Sequence, residues 1–405
     1  MSAHMMASMK KSPKSEVQSP KSARLAGLTV WVALSLLPAV GNAEPQFQFD
    51  YRPVVPGVEQ AHLAMKTPDG PWSIFVIRVA RSRSDLKIRP VLAQESGAAL
   101  RTVSAIANNY RLAGWQPVAA INANLFAKDT GGFVAGLHIA DGEVCSTPNW
   151  PHTYTAWADS AGRLFVSPVT NGFSLTWPDG RTTPLLLNML PDTNAPALFA
   201  GAAKLILPRH PQPSLVLELE SATAPLLPAN ATRRARVLAD GAMAKAVPRQ
   251  VLLLPGNSFA GAAAAVQPGD VFTISTRMSH DLSSAVWAVS GVPHLISGGV
   301  PHSYFSRPPE PGKPPERHPR SLLGFNDRFL FLVVVDGRQP KLSIGMDYSE
   351  LCQLMQQLGC TEALSLDGGG STALWLNGSV VNSPSNQLGW QRPVANVLTV
   401  LRRKE

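Results

Sequence analysis

Apolar residues along the chain fall mostly into short runs of strand length. Glu59–Thr67 (EQAHLAMKT), Trp72–Ala80 (WSIFVIRVA) and Leu86–Ala93 (LKIRPVLA) are alternating or continuous apolar segments, with Pro68-Asp69-Gly70 turning the chain between the first two. They predict strands. A different spacing follows in Arg101–Gly114 (RTVSAIANNYRLAG), where Val103, Ile106, Tyr110 and Leu112 fall roughly on one helical face. Thr102 reads as its cap and Gly114 as its stop. PVAAINANLF reads as a buried strand emerging into a polar loop, and GLHIADGEVCS as a hairpin turned at Asp141-Gly142.

From residue 154 to residue 276 the strand signals continue but weaken, in RLFVSPV, FSLTWPDG, SLVLELE, VLLLPG and DVFTIST. Residues 301–319 are dense in proline and charge and read as an extended surface loop. The last part is the most regular. FLFLVVVDG predicts a buried strand ending at Asp336-Gly337, the expected position of a turn. MDYSELCQLMQQLG predicts an amphipathic helix with Leu351, Leu354, Met355 and Leu358 on its apolar face and Gly359 past its end. ALSL is a strand, and ALWLNGSVVN a hairpin turned at Asn377-Gly378. A helix between two strands is the usual connection of parallel neighbours, so part of the sheet is expected to be parallel. The fold class is α+β, a β-rich mixed sheet core with a few packed helices in one large domain.

At 405 residues, 45% hydrophobic and 16% charged, the chain can bury a sizeable core. Its formal charge of +9 is concentrated at the N-terminus: Lys10, Lys11, Lys14, Lys21 and Arg24 face one acid, Glu16, and residues beyond 43 carry +5. That balance suits an anionic partner, and no basic run interleaved with aromatics supports nucleic-acid binding. The basic lead is followed by uncharged Leu25–Val40 and by Gly41-Asn42-Ala43, the order of a secretory signal cleaved after Ala43. The expected layout is a signal at 1–43, a linker at 44–55 and a domain at 56–402, exported to the periplasm or the medium, with no membrane span left after cleavage. Cys145, Cys352 and Cys360 are too few and too scattered for a disulfide framework or a zinc site; one bridge is compatible with export.

Candidate chemistry centres on SLDGGGST. Asp367 ends a buried strand, and Gly368, Gly369 and Gly370 carry no side chains to block a ligand from their amides. Successive glycine N–H groups converge on anions, and Ser371 and Thr372 add hydroxyls. Asn122 and Asn124 end another buried strand. Arg320, beside His318, and Arg392, which precedes Asn396, flank apolar strands and are placed to grip an anion bidentately. No cluster has metal-ligand spacing; a divalent cation on Asp367 is allowed but not indicated, and no cofactor is required.

HPRSLLGF, VVVDGRQPKLSIGM, SLDGGGSTALWLNGSVVN and RPVANVLTV, in this order and spacing, resemble the phosphodiester glycosidase family, and the earlier segments PGVEQAHLAMKTPDG, LKIRPVLA, TVSAIA, AAINANLF and GLHIADGEV agree with it. The resemblance implies hydrolysis of a sugar-1-phosphodiester at the anomeric carbon. Because a phosphate leaves already ionised, such chemistry needs one carboxylate, and we assign it to Asp367, with binding of sugar hydroxyls or of a metal as its alternative roles. His318 is a weaker acid/base candidate, Arg320, Arg392 and the amides of Gly368, Gly369 and Gly370 form the phosphate clamp, and Asn122, Asn124, Ser371, Thr372 and Asn396 orient the substrate. Leu125 and Ser290-Gly291-Val292 depart from the family pattern. Two other readings remain: a non-catalytic binder of anionic envelope glycopolymer, and a phosphodiesterase that cuts the P–O bond.

Overall fold

The computed structural model describes residues 45–93, 99–127, 132–148, 153–192, 194–200, 214–221, 223–238, 249–305, 316–386 and 390–404. The signal-type segment at 1–43 and the centre of the proline-rich loop, 306–315, lie outside the described residues. Residues Gln46–Glu405 form one compact unit. Among the described residues no helix is long and apolar enough to cross a membrane. Cys145, Cys352 and Cys360 all carry free thiols, so no bridge joins them.

Strands dominate, in two eight-stranded and two five-stranded sheets and one two-stranded ribbon. In the first sheet the central strands Phe329–Val335 and Arg320–Phe325 pair antiparallel, and Glu362–Ser365 pairs antiparallel with the other edge of Arg320–Phe325. The helix Tyr348–Gln357 therefore connects two strands that run the same way with a third between them. This corrects the expected parallel ladder. The apolar run FLFLVVV reports burial on both faces, not strand direction. Leu330, Leu332 and Val334 face a core shared with two other sheets, whereas Phe331, Val333 and Val335 face Leu351, Leu354 and Met355 of the helix. Among the described pairings only the short strands Leu186–Leu187 and Ala197–Phe199 are parallel. The molecule is thus mostly β, with less helix than an α+β class implies.

Local signals explain the helix ends. Asp347 accepts from the Glu350 amide while the Glu350 carboxylate accepts from the Asp347 amide, a reciprocal capping box. Gly359 follows at φ +75°, where a glycine costs least. The first helix is shorter than its pattern suggests. Thr102 caps Val103–Asn109, but Tyr110 is already extended, and Gly114 serves the next turn instead.

Two of the sheets position the candidate site. Trp115–Asn122 pairs with Asn396–Arg403 and with Leu374–Leu376 in a five-stranded sheet. The chain leaves the first sheet at Ser365 and enters this one at Leu374, so the glycine-rich segment crosses between them. In the antiparallel register Arg320 lies opposite Val335 and Leu322 opposite Ser365. Asn122 lies opposite Val397. One set of strand ends therefore gathers Asn122, Arg320, Asp336, Asp367 and the approach to Asn396.

Candidate active site

The Asp367 backbone is fixed from both sheets. Its N–H donates to the Ala123 carbonyl at 2.9 Å, and its carbonyl accepts from the Asn122 side-chain amide at 2.5 Å. The Oδ1 of Asn122 accepts from Ser321 Oγ (2.7 Å) and the Ala373 amide (3.1 Å). Asn122 is wholly buried. Its side chain therefore positions the loop instead of facing a ligand. Asp367 itself is half-buried at the loop's start.

Three arginines approach three consecutive glycines. The Arg320 side chain runs beside Gly368. The Arg338 guanidinium lies where a Gly369 side chain would stand, its Nη2 3.0 Å from the place of a Cβ, and the Arg392 guanidinium occupies the corresponding place at Gly370. The absent side chains thus make room for cations. Gly369 has φ +62° within the tight turn Gly369–Ser371, a second reason for glycine there. Its N–H donates to the Pro319 carbonyl at 2.8 Å, which turns that amide inward and away from the anion-binding use expected of it.

The cations differ in what they can offer. Arg320 is buried, donates to the carbonyls of Met346 (3.1 Å) and Glu316 (3.2 Å), and stacks over the Tyr348 ring at 4.1 Å. Those contacts use its guanidinium within the protein, so it braces the site. Arg392 is half-buried and reaches Ser371 Oγ at 3.4 Å. Arg338 is exposed. It was not singled out from the sequence, although its place directly after the Asp-Gly of VVVDGR was the available signal. Ser371 and Thr372 are buried in the same loop, and among the described residues Thr372 Oγ1 has no hydrogen-bond partner.

His318 sits beside this cluster, its backbone bridged to Met346. Burial first, then the positive charges of Arg320 and Arg338, push its imidazole below the ordinary value of 6.5, which keeps it neutral at physiological pH. Its Nδ1 is buried with no partner among the described residues. A neutral imidazole next to a carboxylate loop can accept or relay a proton.

Asn124 and Asn396 lie deeper and hold each other. The Asn124 amide donates to Asn396 Oδ1, and Asn396 Nδ2 to Asn124 Oδ1, both at 2.9 Å. Asn396 Nδ2 also contacts His138 Nδ1 at 2.9 Å, while Asn124 Nδ2 reaches the carbonyls of Ala135 and Leu137. Both asparagines are buried and engaged internally. The departures from the family pattern have structural places as well. Ser290 Oγ bonds Thr155 Oγ1 and the Leu137 amide, and a side chain on Gly291 would collide with the Ser365 carbonyl.

Asp336 is not the plain turn residue expected. It is 1% exposed, and its carboxylate accepts from Ser73 Oγ, Asn382 Nδ2 and the Ser383 amide. Burial pushes its carboxyl up and these donors pull it back. Asp141-Gly142 does form the expected two-residue turn, with Asp141 held by Lys87 and Arg89. Among the described residues no group of three His, Cys, Asp or Glu side chains is placed to hold a metal ion.

The resemblance seen in the sequence is borne out over the C-terminal part: residues 235–401 match the model of the phosphodiester glycosidase family. That span contains Asp336, Asp367 and all three arginines. The fold is shared with a protein of Synechocystis (TM-score 0.64, 19% identity, 88% of this chain and 64% of that one). It is also shared with a protein of Burkholderia pseudomallei (TM-score 0.60, 22% identity, 82% of this chain and 74% of that one). An uncharacterized SPbeta-prophage protein of Bacillus subtilis, YomE, is 35% identical over 85 residues, 21% of this chain and 13% of that protein. The chain therefore spans less than two thirds of the Synechocystis structure and a small part of the Bacillus protein.

Proposed function

We propose that the protein hydrolyses a sugar-1-phosphodiester at the anomeric carbon, releasing free sugar and a phosphomonoester. The observation that carries this is the pair of guanidinium groups, Arg338 and Arg392, resting on adjacent glycines two and three residues after Asp367. Paired guanidinium groups suit the oxygens of one phosphate. The family match over residues 235–401 supports the same reaction.

The chemistry needs one carboxylate. An ordinary glycosidase uses two because its alcohol leaving group must be protonated. A phosphate departs already ionised. The C1–O bond breaks with its electron pair passing to the phosphate oxygen, and Arg338 and Arg392 stabilise the charge that develops there. Asp367 assists attack at C1, as nucleophile or as base toward water, and neutral His318 takes up or relays the proton. Ser371 and Thr372 lie within the substrate loop, Asn122 holds that loop in place, and Asn124 and Asn396 brace each other behind it. Arg320, held by the carbonyls of Met346 and Glu316 and by the Tyr348 ring, braces the site beside Gly368. The site acts outside the cytoplasm, on envelope or extracellular glycoconjugates, after removal of residues 1–43.

The test is release of N-acetylglucosamine or another sugar from a panel of sugar-1-phosphodiesters by residues 44–405, run in heavy-oxygen water. Label in the sugar supports the proposal. Label in the phosphate would mean P–O cleavage, and phosphodiester binding without turnover would make the protein a binder; either result overturns it.

A further inference from the structure

We propose that Asp336 is a positioning residue that holds Arg338 in place over Gly369, so that the second cation of the phosphate grip depends on a carboxylate that never touches substrate. The proposal rests on the phosphodiester reading of the site.

Arg338 has φ +60°, in the left-handed region that a non-glycine residue occupies at a cost of roughly 1 kcal/mol. Glycine would be the cheaper residue for that backbone, and a strained position that keeps a large side chain points to a use for the side chain. The use visible here is the guanidinium against Gly369.

What keeps the backbone strained is a clasp on both sides of Arg338. On one side, Asp336 Oδ1 accepts from Asn382 Nδ2 (2.9 Å) and the Ser383 amide (3.0 Å). On the other, the Gln339 side chain donates to the Ser383 carbonyl and accepts from Ser383 Oγ, both at 2.8 Å. Residues 382 and 383 thus bind the chain immediately before and immediately after the Gly337-Arg338 pair. Asn382 in turn accepts from the Leu374 amide at 2.8 Å, which ties the clasp to the strand that follows the glycine loop. The other oxygen of Asp336 accepts from Ser73 Oγ at 3.1 Å, and Ser343 Oγ donates to its main-chain carbonyl. Gly337 packs so closely on the main chain of His318, Pro319 and Gly345 that a side chain there would collide with it. The two loops that carry Arg338 and Gly369–Thr372 are therefore locked to each other through Asp336, Asn382 and Ser383.

Two readouts test this: steady-state kinetics on the methyl diester of N-acetylglucosamine 1-phosphate, and calorimetric binding of inorganic phosphate. Asp336→Ala should raise KM and the phosphate Kd by about tenfold to a hundredfold, with a smaller fall in kcat. Asp336→Asn should recover most of that loss, because its oxygen can face Asn382 and Ser383 while its amide faces the Ser73 hydroxyl, which can accept. In an Arg338→Ala background, Asp336→Ala should add little, the mark of two residues acting through one interaction. If Asp336→Ala does not fold, Gln339→Ala opens the other side of the clasp and should raise KM in the same way. The proposal is overturned if Asp336→Ala, or Gln339→Ala in its place, leaves KM and phosphate Kd unchanged. It is equally overturned if Asp336→Asn abolishes turnover, which would make the carboxylate catalytic. A wild type that neither turns over the diester nor binds phosphate sinks the reading of the site itself, whereas an active wild type with an indifferent clasp sinks only the role of Asp336.

Discussion

Asn122 donates to the main-chain carbonyl of Asp367 across 245 positions of sequence, joining the end of a strand in one sheet to the residue that leaves another. The bond places the Asp367 carboxylate at the seam between the sheets without using the carboxylate itself. A carboxylate delivered in this way has its backbone fixed from both sheets, immediately before the glycine turn against which Arg338 and Arg392 rest.

Asp367→Asn should reduce turnover of a sugar-1-phosphodiester by roughly a hundredfold or more, the range associated with loss of a positioned acid/base group. The fold should survive, since the main-chain bonds to Ala123 and Asn122 do not involve the carboxylate. Circular dichroism and a urea titration, run beside the assay, separate lost chemistry from lost structure. Full activity in the variant would remove Asp367 from the mechanism.

Gly370→Ala should displace the Arg392 guanidinium, which occupies the space a side chain would need. The obstacle is the far end of a flexible side chain, so the stability cost should stay small, within about 1 kcal/mol. The functional cost should appear in KM, a rise of about tenfold, because one anchor of the phosphate is moved. An unchanged KM would show that Arg392 does not contact substrate.

Asn396→Ala should destabilise the protein by about 2–4 kcal/mol, because it strips partners from the Asn124 amide, from Asn124 Oδ1 and from His138 in a buried network. The urea midpoint measures this directly. A variant as stable as the wild type, but deficient in binding, would return Asn396 to the substrate-contacting group expected from the sequence.

Burial, with Arg89 adding to it, pushes His138 down to about 3 from an ordinary 6.5. An imidazole with a depressed folded-state value is held neutral by the fold, while the unfolded chain binds the proton as pH drops. Its contribution to stability is therefore fully present above about pH 6.5 and is lost as pH falls toward 3. Urea midpoints measured from pH 7 to pH 4 should decline more steeply for the wild type than for His138→Gln. Equal slopes would show that His138 does not govern acid sensitivity.

Much of the local structure was legible in the sequence. The helix after Asp347 announced itself through its apolar spacing and final glycine, and the turns at Asn377-Gly378 and Asp141-Gly142 through residues that tolerate positive φ. These signals involve neighbours a few positions apart, and neighbour interactions are written in the order of residues. The glycine run beside Asp367 was legible as a place of close approach for the same reason. The Arg101–Gly114 segment shows the limit: its spacing continued past Asn109, but the extended backbone at Tyr110 ended the helix.

Strand direction, and the use each polar group finds, were decided only in three dimensions. FLFLVVV is apolar at every position because its strand is covered on both faces, and that pattern is the same whether its neighbours run parallel or antiparallel. Asp336 sits where a turn residue belongs, yet Ser73, Asn382 and Ser383 arrive from distant parts of the chain and make it a buried anchor. Arg320 and Arg338 were both chemically fit to hold an anion. Tyr348, Met346 and Glu316 engage the first, and the second rests on Gly369 in the open. The inventory of carboxylate, glycines and cations can be read from the order of residues alone, because composition and short-range spacing are enough to find it. Only the packing of two sheets against each other decided which of those groups remain available to a substrate, because a side chain's partners depend on what long-range pairing brings within hydrogen-bond reach.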